Sequence, residues 1–255
     1  MAFFLRMKQA IGIFDSGVGG LSLVPAIQEH LPHEDIVYIA DHGFFPYGEK
    51  STEAVLTRAK EITAALVQHN CKLILVACNT VTTQVIDELR KAYSLPFVGI
   101  EPAIKPAAAA SKTGVVGVLA TKGTFKSPLY RQTIAQHASK IKVVEQVGEG
   151  LVEMVENNQG EKEESLTLLQ TLITPLLDQG IDTLLLGCTH YPFLAPSLKK
   201  ILPETVRIID NSPAVAKQIE RLLPLNTSTS KGNIRHYTTG EKKSWRGISF
   251  TALPL

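Results

Sequence analysis

Short runs of apolar residues recur along the chain, and stretches with a helical period separate them. The runs that predict buried strands lie at residues 12–14, 36–40, 73–76, 97–100, 115–120, 141–145, 183–187 and 206–210. Between them, apolar residues return every three or four positions and predict helices at 21–31, 52–68, 80–92, 127–138, 163–179 and 193–201. Ser51 or Thr52 is expected to cap the second of these helices, Pro175 to kink the helix at 163–179, and Asn211 to cap a further helix with Pro213 at its start. Strands that alternate with helices in this way are typical of a parallel sheet with helices on both faces. The pattern therefore predicts an α/β fold.

Two of these strands end at a cysteine that leads into a helical segment. Residues 184–188 read Leu-Leu-Leu-Gly-Cys, and residues 73–78 read Leu-Ile-Leu-Val-Ala-Cys. After Cys188, Thr189 can cap the next helical turn, and Pro192 fits the first turn. Open N–H groups and the helix dipole favour a thiolate at such a position. We therefore expect both Cys78 and Cys188 to be reactive.

Each of the two cysteines follows a similar stretch of chain. A strand runs into a turn rich in glycine and hydroxyl groups at residues 12–20, before Cys78, and again at residues 116–124, before Cys188. The segment 101–106 contains two prolines, which disfavour regular structure and indicate a crossing between domains. We expect two similar α/β domains that face each other across a cleft, residues 1–100 with 207–255 and residues 101–206.

Composition narrows the possible partners. The 255 residues, 44% of them hydrophobic, can bury two modest cores without disulfides. A net charge of +2 gives no reason to expect nucleic acid or a membrane surface as a partner. Three cysteines form an odd set, which favours a reducing compartment, and Cys71 is expected to be an inert apolar residue.

A cytoplasmic location is expected from the hydropathy of the chain. No run approaches the roughly 20 apolar residues of a membrane helix. Residues 1–5 are apolar but too few for the core of a signal peptide, and their basic residues follow rather than precede them.

The glycines and cysteines do not match the common cofactor motifs. Gly17, Gly19 and Gly20 do not form the dinucleotide signature, and the Gly-Lys-Ser/Thr phosphate loop is absent from the sequence. We therefore expect no nucleotide cofactor. Neither Cys78 nor Cys188 belongs to a Cys-x-x-Cys pair, so we expect no metal either.

The polar residues near the cysteines have both structural and chemical interpretations. His190 lies two residues after Cys188 and could polarise or protonate its thiol. The turn that begins Asp15-Ser16-Gly17 could simply cap the next helix. Asn79, Thr80 and Thr189 could cap helices, bind a substrate carboxylate, or do both.

Two opposed thiols without a cofactor indicate proton transfer at a carbon atom. One cysteine, as thiolate, would remove a proton from one face of a stereocentre, and the other, as thiol, would deliver a proton to the opposite face. The carbanion next to a carboxylate is hard to form, so N–H donors and exclusion of water are expected. The predicted outcome is inversion of the stereocentre.

Four motifs, in this order, resemble the glutamate racemase family. They are residues 15–22 (Asp-Ser-Gly-Val-Gly-Gly-Leu-Ser), 46–48 (Pro-Tyr-Gly), 77–80 (Ala-Cys-Asn-Thr) and 187–192 (Gly-Cys-Thr-His-Tyr-Pro). The resemblance extends from about residue 12 to about residue 223. It implies a cofactor-independent enzyme that interconverts L- and D-glutamate, the latter for bacterial peptidoglycan. It also implies two pseudo-symmetric domains with parallel sheets flanked by helices, an active site in the cleft between them, and commonly a homodimer.

The resemblance also implies residue roles. Cys78 would handle the proton of the D-enantiomer, with Asp15 nearby, and Cys188 that of the L-enantiomer, with His190 nearby. The residues implied to hold the substrate's amino and carboxylate groups are Asp15, Ser16, Tyr47, Gly48, Asn79, Thr80, Thr189 and His190. Thr121 and Glu156 are further candidates, because Thr121 lies in the second glycine- and hydroxyl-rich turn and Glu156 aligns with an acid that assists catalysis in the family.

The chain departs from the family pattern in two places. Gly148-Glu149 stands where the family usually has a Cys-Pro pair, and Glu153 stands in place of a proline. Phe44 and Phe45, ahead of Pro46, are bulkier and more apolar than the usual loop.

Other functions stay open at this point. An aspartate racemase or a related two-cysteine isomerase is a neighbouring alternative, although His190 after Thr189 favours glutamate, since an acidic residue is expected there in aspartate enzymes. A non-catalytic amino-acid-binding protein would use the same cleft. The tail, residues 226–255, predicts an edge hairpin around 234–239, and its basic residues from Lys231 to Arg246 could form an interaction surface.

Overall fold

The computed structural model describes residues 9–224, 228–242 and 244–255. The apolar segment 1–5 and the start of the predicted tail at Asn226 lie outside these residues. The strands are β1 (Ala10–Asp15), β2 (Asp35–Ala40), β3 (Cys71–Val76), β4 (Phe97–Gly99), β5 (Val115–Ala120), β6 (Lys142–Val147), β7 (Thr183–Gly187), β8 (Arg207–Ile209), β9 (Ile234–Thr238), β10 (Ser244–Trp245), β11 (Ile248–Ser249) and β12 (Thr251–Ala252). The α-helices are α1 (Val24–His30), α2 (Thr52–Gln68), α3 (Asn79–Ala92), α4 (Ile104–Ala110), α5 (Lys122–Lys126), α6 (Pro128–His137), α7 (Leu151–Glu156), α8 (Glu163–Asp178), α9 (Ala195–Ile201) and α10 (Ser212–Leu222).

Two parallel sheets organise the molecule. The first has the order β12-β9-β2-β1-β3-β4, and the second has the order β6-β5-β7-β8. All pairings within these two sheets are parallel. Strands β1 and β7 are buried along their whole length, as expected for sheets covered on both faces. The predicted α/β class is confirmed.

The helices follow local sequence signals. Ser51 caps α2, as predicted, because its Oγ accepts a hydrogen bond from the N–H of Ala54 at 3.2 Å. Val55, Ala59 and Ile62 then bury one face of that helix against the first sheet. Pro175 lies inside α8, where a kink was expected, and the helix continues to Asp178.

One local prediction was wrong, and another was confirmed only in part. Helix α4 begins inside the segment expected to lack regular structure, because Pro106 lies in its first turn, where a missing N–H costs no helical hydrogen bond. Asn211 occupies the N-cap position of α10 and Pro213 lies in the first turn, as predicted, but the Asn211 side chain makes no capping hydrogen bond. That side chain donates to the carbonyl of Glu101 at 3.3 Å, and Asp210 Oδ1 accepts from the N–H of Ser212 at 2.8 Å instead.

The tail differs most from its prediction. Residues 234–238 do not form a hairpin but lie parallel to β2, from Ile36 opposite Ile234 to Ala40 opposite Thr238. A small antiparallel hairpin occurs later, between β10 and β11, with Arg246 and Gly247 at positive φ in its turn. Strand β9 is placed by a partner almost 200 residues away, which a local pattern does not reveal.

The carboxyl ends of the strands carry the predicted site. Asp15 ends β1, and Cys78 follows β3 in the same sheet. Thr121 follows β5, and Cys188 follows β7 in the second sheet. One apolar core cluster includes buried residues of both sheets, among them Ile13 and Leu186, so the two sets of strand ends are held together.

None of the helices in the described ranges has the length and apolar character needed to cross a membrane.

Candidate active site

A cavity of about 850 Å³ lies between the strand ends of the two sheets. All of the predicted site residues but one line it, namely Asp15, Ser16, Tyr47, Gly48, Cys78, Asn79, Thr80, Thr121, Cys188, Thr189 and His190. Glu156 is the exception. Both candidate cysteines therefore open onto the same space, which is large enough for an amino acid.

Cys78 occupies the N-cap position of α3 and is almost fully buried. Burial raises the pKa of its thiol well above the usual value, and the nearby carboxylate of Asp15 raises it further. The backbone N–H groups of Val81 and Thr80 act in the opposite direction by hydrogen bonding to the sulfur. The helix start thus favours a thiolate, as expected, whereas burial opposes it and leaves the pKa of Cys78 above the usual value.

Cys188 has a different neighbour. Its Sγ lies 3.7 Å from His190 Nδ1, and His190 Nε2 lies 2.8 Å from Glu156 Oε1. Burial lowers the pKa of His190, but hydrogen bonds to Cys188 and Glu156 more than offset it and raise that pKa well above the usual value. The geometry therefore favours an imidazolium that donates to the Cys188 sulfur on one side and to a carboxylate on the other.

Glu156 lies behind His190, at the end of α7, with its side chain 6% exposed. Its Oε1 also accepts from the N–H of Val18 at 2.7 Å, and its Oε2 contacts His42 Nε2 at 3.2 Å and Lys242 Nζ. Burial raises the pKa of Glu156, but the hydrogen bonds from His190, His42 and Lys242 hold it far below the usual range. The carboxylate is therefore charged and held by several donors.

Asp15 joins the two halves of the site. Its Oδ2 accepts from the N–H of Gly20 at 2.8 Å and from Thr189 Oγ1 at 3.3 Å. Its Oδ1 is buried without a hydrogen-bond partner among the described residues. Burial raises the pKa of Asp15, and the positive charge of His190 partly counteracts this. Thr189 thus binds Asp15, and its side chain does not cap the short 3-10 helix Tyr191–Leu194, which was one of the two interpretations that the sequence left open.

Two glycines of the first motif allow the halves to approach closely. A methyl group at Gly17 would overlap Glu156 Oε1, and one at Gly19 would overlap His190 Nδ1 and Asp15 Oδ2. Any side chain at either position would therefore displace His190 or Glu156, the pair that we call the relay behind Cys188. The glycines therefore serve the packing of the site and do not cradle a phosphate.

Three predicted substrate-binding residues already have partners. Thr80 Oγ1 and Thr121 Oγ1 lie 3.3 Å apart across the cavity, and Thr121 also caps α5. Asn79 Nδ2 donates to the carbonyl of Ile100 at 3.1 Å. Tyr47 donates its hydroxyl to Asp41 Oδ2 at 2.6 Å, and burial raises the pKa of that hydroxyl well above its usual value. Tyr47 therefore presents a neutral group to the cavity.

The departures from the family pattern lie at the wall of the cavity. Gly148, Glu149 and Glu153 line it, and the carbonyl of Gly148 accepts from the hydroxyl of Tyr191 at 3.1 Å. The ring of Phe45 lies 6.5 Å from that of His190, so the apolar loop covers the relay on one side.

Sequence reasoning missed several residues around this site. Asp41, held by Arg58 and Thr239 as well as Tyr47, directly follows β2, and its strand-end position could have identified it. His42 follows it and contacts Glu156. Lys242 had no local signal, because it lies 86 positions from its partner.

Comparisons with known proteins agree on one family. The family model of Asp/Glu/hydantoin racemases matches residues 21–219. The glutamate racemase of Herpetosiphon aurantiacus is 45% identical over 237 residues, which are 91% of this chain and 93% of the relative. That of Ectopseudomonas mendocina is 49% identical over 221 residues, or 86% of this chain and 84% of the relative. The crystal structure of Escherichia coli glutamate racemase in complex with L-glutamate and an activator superposes with a TM-score of 0.83 at 34% identity, covering 92% of this chain and 90% of that one.

Proposed function

Since the chain belongs to the Asp/Glu/hydantoin racemase family and is a glutamate racemase, we propose that Cys78 and Cys188 carry out its reaction from opposite faces of the substrate α-carbon. The observation that carries this proposal is the shared cavity, onto which both sulfurs open. The substrate is glutamate, and the proposed chemistry needs no group beyond the two thiols and their neighbours.

The environments of the cysteines define the starting state. Burial favours the protonated thiol at Cys78, and His190, whose pKa is raised, lies 3.7 Å from the Cys188 sulfur and can donate a hydrogen bond to it. With L-glutamate bound, the Cys188 thiolate takes the α-proton, and the carbon–hydrogen electron pair stays on the substrate as a carbanion. The Cys78 thiol then gives its proton to the opposite face, which yields D-glutamate. The reverse reaction begins with Cys78 as thiolate and Cys188 as thiol.

Asp15 completes the half of the site around Cys78. Its unpaired Oδ1 can accept the Cys78 proton, or the ammonium group of glutamate, because its other oxygen is held by Gly20 and Thr189. Its raised pKa brings its proton affinity closer to that of a thiol. Ser16, Tyr47, Gly48, Asn79, Thr80, Thr121 and Thr189 are proposed to hold the substrate, since all of them line the cavity.

Single substitutions of the cysteines test this mechanism. Cys78→Ser and Cys188→Ser each replace a thiol with a much weaker acid, so each is expected to lower the rate of racemisation at least about a hundredfold. The circular dichroism of glutamate itself measures racemisation, because the L- and D-enantiomers give signals of opposite sign. NMR in heavy water measures exchange of the α-hydrogen.

Cys71→Ser is the matched control. Cys71 is buried, burial raises the pKa of its thiol to about 12, and it lies outside the residues that line the cavity. This variant is expected to retain activity. Full activity in either Cys78→Ser or Cys188→Ser, with the fold intact by circular dichroism, would contradict the mechanism.

The cellular role and the assembly are further parts of the proposal. D-glutamate is proposed to supply peptidoglycan synthesis in the cytoplasm, in line with the resemblance to glutamate racemases. A homodimer is proposed on the same ground, and sedimentation equilibrium measures the mass of the assembly.

The division into two domains, residues 1–100 with 207–255 and residues 101–206, is proposed too. This proposal needs one change, because β8 pairs with β7 in the second sheet, so residues 207–209 belong to the second domain and the second crossing follows Ile209.

A further inference from the structure

The tail of the chain reaches the relay behind Cys188. Lys242 lies between β9 and β10, and its Nζ donates to the carbonyl of Glu156 at 2.6 Å and to Glu156 Oε2. The side chain of Lys242 is 23% exposed, so solvent screens this ion pair only in part. A residue that follows the last long strand of the first sheet thereby contacts the carboxylate that holds His190.

Other contacts dock the same segment without touching that carboxylate. Trp245 Nε1 donates to the carbonyl of Val155 at 3.0 Å, and Arg246 Nε donates to Asn158 Oδ1 at 2.7 Å. The guanidinium of Arg246 also stacks over the ring of Trp245 at 4.9 Å. These contacts fix the position of the segment, and Lys242 adds a charge to the relay.

The two carboxylate oxygens of Glu156 have different hydrogen-bond partners. Oε1 accepts from His190 and from the N–H of Val18, whereas Oε2 contacts His42 and Lys242. The other ring nitrogen of His42, Nδ1, lies 2.8 Å from Thr238 Oγ1, so His42 contacts both Glu156 and Thr238. Without Lys242, Oε2 keeps only the longer contact to His42, and the carboxylate is freer to rotate away from His190 Nε2.

We propose that Lys242 is a positioning residue for the half-reaction at Cys188, through its hold on Glu156 and hence on His190. This inference rests on the proposed roles of the two cysteines. It gives the tail a role in the reaction through Lys242 alone, which acts through Glu156 and is not among the residues that line the cavity.

Isotope effects distinguish this role from a structural one. The reaction passes through two transition states in series, with proton transfer at Cys188 and at Cys78. If a variant slows only transfer at Cys188, that transfer limits the rate more strongly. The isotope effect on kcat/KM with α-deuterated L-glutamate then rises, and the effect with α-deuterated D-glutamate falls. A general loosening of the fold would not move the two effects in opposite directions.

The experiment compares Lys242→Met with Arg246→Met in the full-length enzyme. Each substitution removes one positive charge from the tail, but only the first removes a contact to Glu156. Lys242→Met is expected to lower kcat about tenfold with little change in KM, because a hydrogen bond to a buried charge is lost. It is also expected to shift the two isotope effects in opposite directions. Arg246→Met is expected to leave both isotope effects as in the wild type, and Lys242→Arg to recover part of the rate.

Several results would overturn the proposal. They are unchanged isotope effects in Lys242→Met, equal effects of the two Met variants, or a loss expressed only in KM. Circular dichroism and thermal unfolding establish that each variant folds, and Lys242→Gln replaces Lys242→Met if the latter does not. Full activity in Cys188→Ser would show, separately, that the cysteine mechanism itself is wrong.

Discussion

Cys78 and Cys188 carry the same functional group in unlike surroundings. One thiol is buried beside a carboxylate, and the other lies beside an imidazolium that Glu156 holds in place. A carboxylate raises the proton affinity of a neighbouring thiol, whereas an imidazolium lowers it. We therefore expect the free enzyme to hold its proton on Cys78, ready for L-glutamate. The sequence placed His190 beside Cys188, but only the folded chain shows the burial of Cys78 and the contact of Glu156 with His190.

Glu156→Gln tests how the relay sets this asymmetry. The substitution keeps the shape of the side chain but removes the charge that helps to raise the pKa of His190. The pKa of His190 is then expected to fall towards its usual value, so the imidazolium is lost at lower pH. The alkaline limit of kcat/KM for L-glutamate should move to lower pH, and kcat should drop about tenfold or more.

A pH–rate profile of the wild type and the variant provides the measurement for Glu156→Gln. Glu161→Gln is the control, since Glu161 is exposed and its substitution removes the same charge near the end of α7. An alkaline limit that stays in place in Glu156→Gln would show that Glu156 does not support the imidazolium.

At the level of helices and strands, the sequence predicts those bounds that local interactions determine. Strands β3 and β7 are continuous apolar runs, and α2 has a serine cap, so their bounds agree with prediction to within a few residues. The roles of hydroxyl groups at element ends are less predictable, because several acceptors compete for them. Thr189 binds Asp15 from another strand, and no local rule favours that partner over the helix N-terminus.

The turn that carries Cys78 depends on one such hydroxyl. Thr82 Oγ1 donates to the carbonyl of Val76 at 3.1 Å and accepts from the N–H of Ile100 at 3.1 Å. Thr82→Val preserves the shape but leaves both backbone groups buried without a partner. We expect the free energy of unfolding to fall by about 1–3 kcal/mol, as measured by denaturant titration.

Thr63→Val is the matched control for this loss. Thr63 is equally buried on α2, and its Oγ1 has no hydrogen-bond partner among the described residues. Its replacement is expected to be neutral or stabilising, since a buried hydroxyl without a partner is costly. An equal loss in both variants would show that packing of the methyl groups, and not the bridge to Val76 and Ile100, causes the effect.

On the scale of the whole molecule, the sequence predicts less. The resemblance pointed to Cys78, Cys188 and Glu156 as site residues, but the path of the tail was not predictable. Strand β9 pairs with β2, and Lys242 meets Glu156 across 86 positions of the chain. Neither contact changes the local hydrophobic period, so only the folded chain reveals them. The same long-range docking connects the first sheet, through the tail, to α7.

The single tryptophan of the chain reports on this docking. Trp245 is buried, its ring lies 4.8 Å from that of Phe193 in an edge-on contact, and it belongs to the apolar core cluster that includes both sheets. We expect its fluorescence and the far-UV circular dichroism to change together in a denaturant titration, because one shared core favours a single cooperative transition. Racemase activity should be lost at the same midpoint.

Trp245→Phe provides the baseline for this experiment, since its fluorescence should show no such transition. If the signal of Trp245 changed at a lower denaturant concentration than the circular dichroism, the tail would leave α7 before the sheets unfold. Activity lost with that first change would then separate the contribution of the tail from that of the sheets. Coincident transitions would instead show that the tail, the relay behind Cys188 and both sheets unfold as one unit.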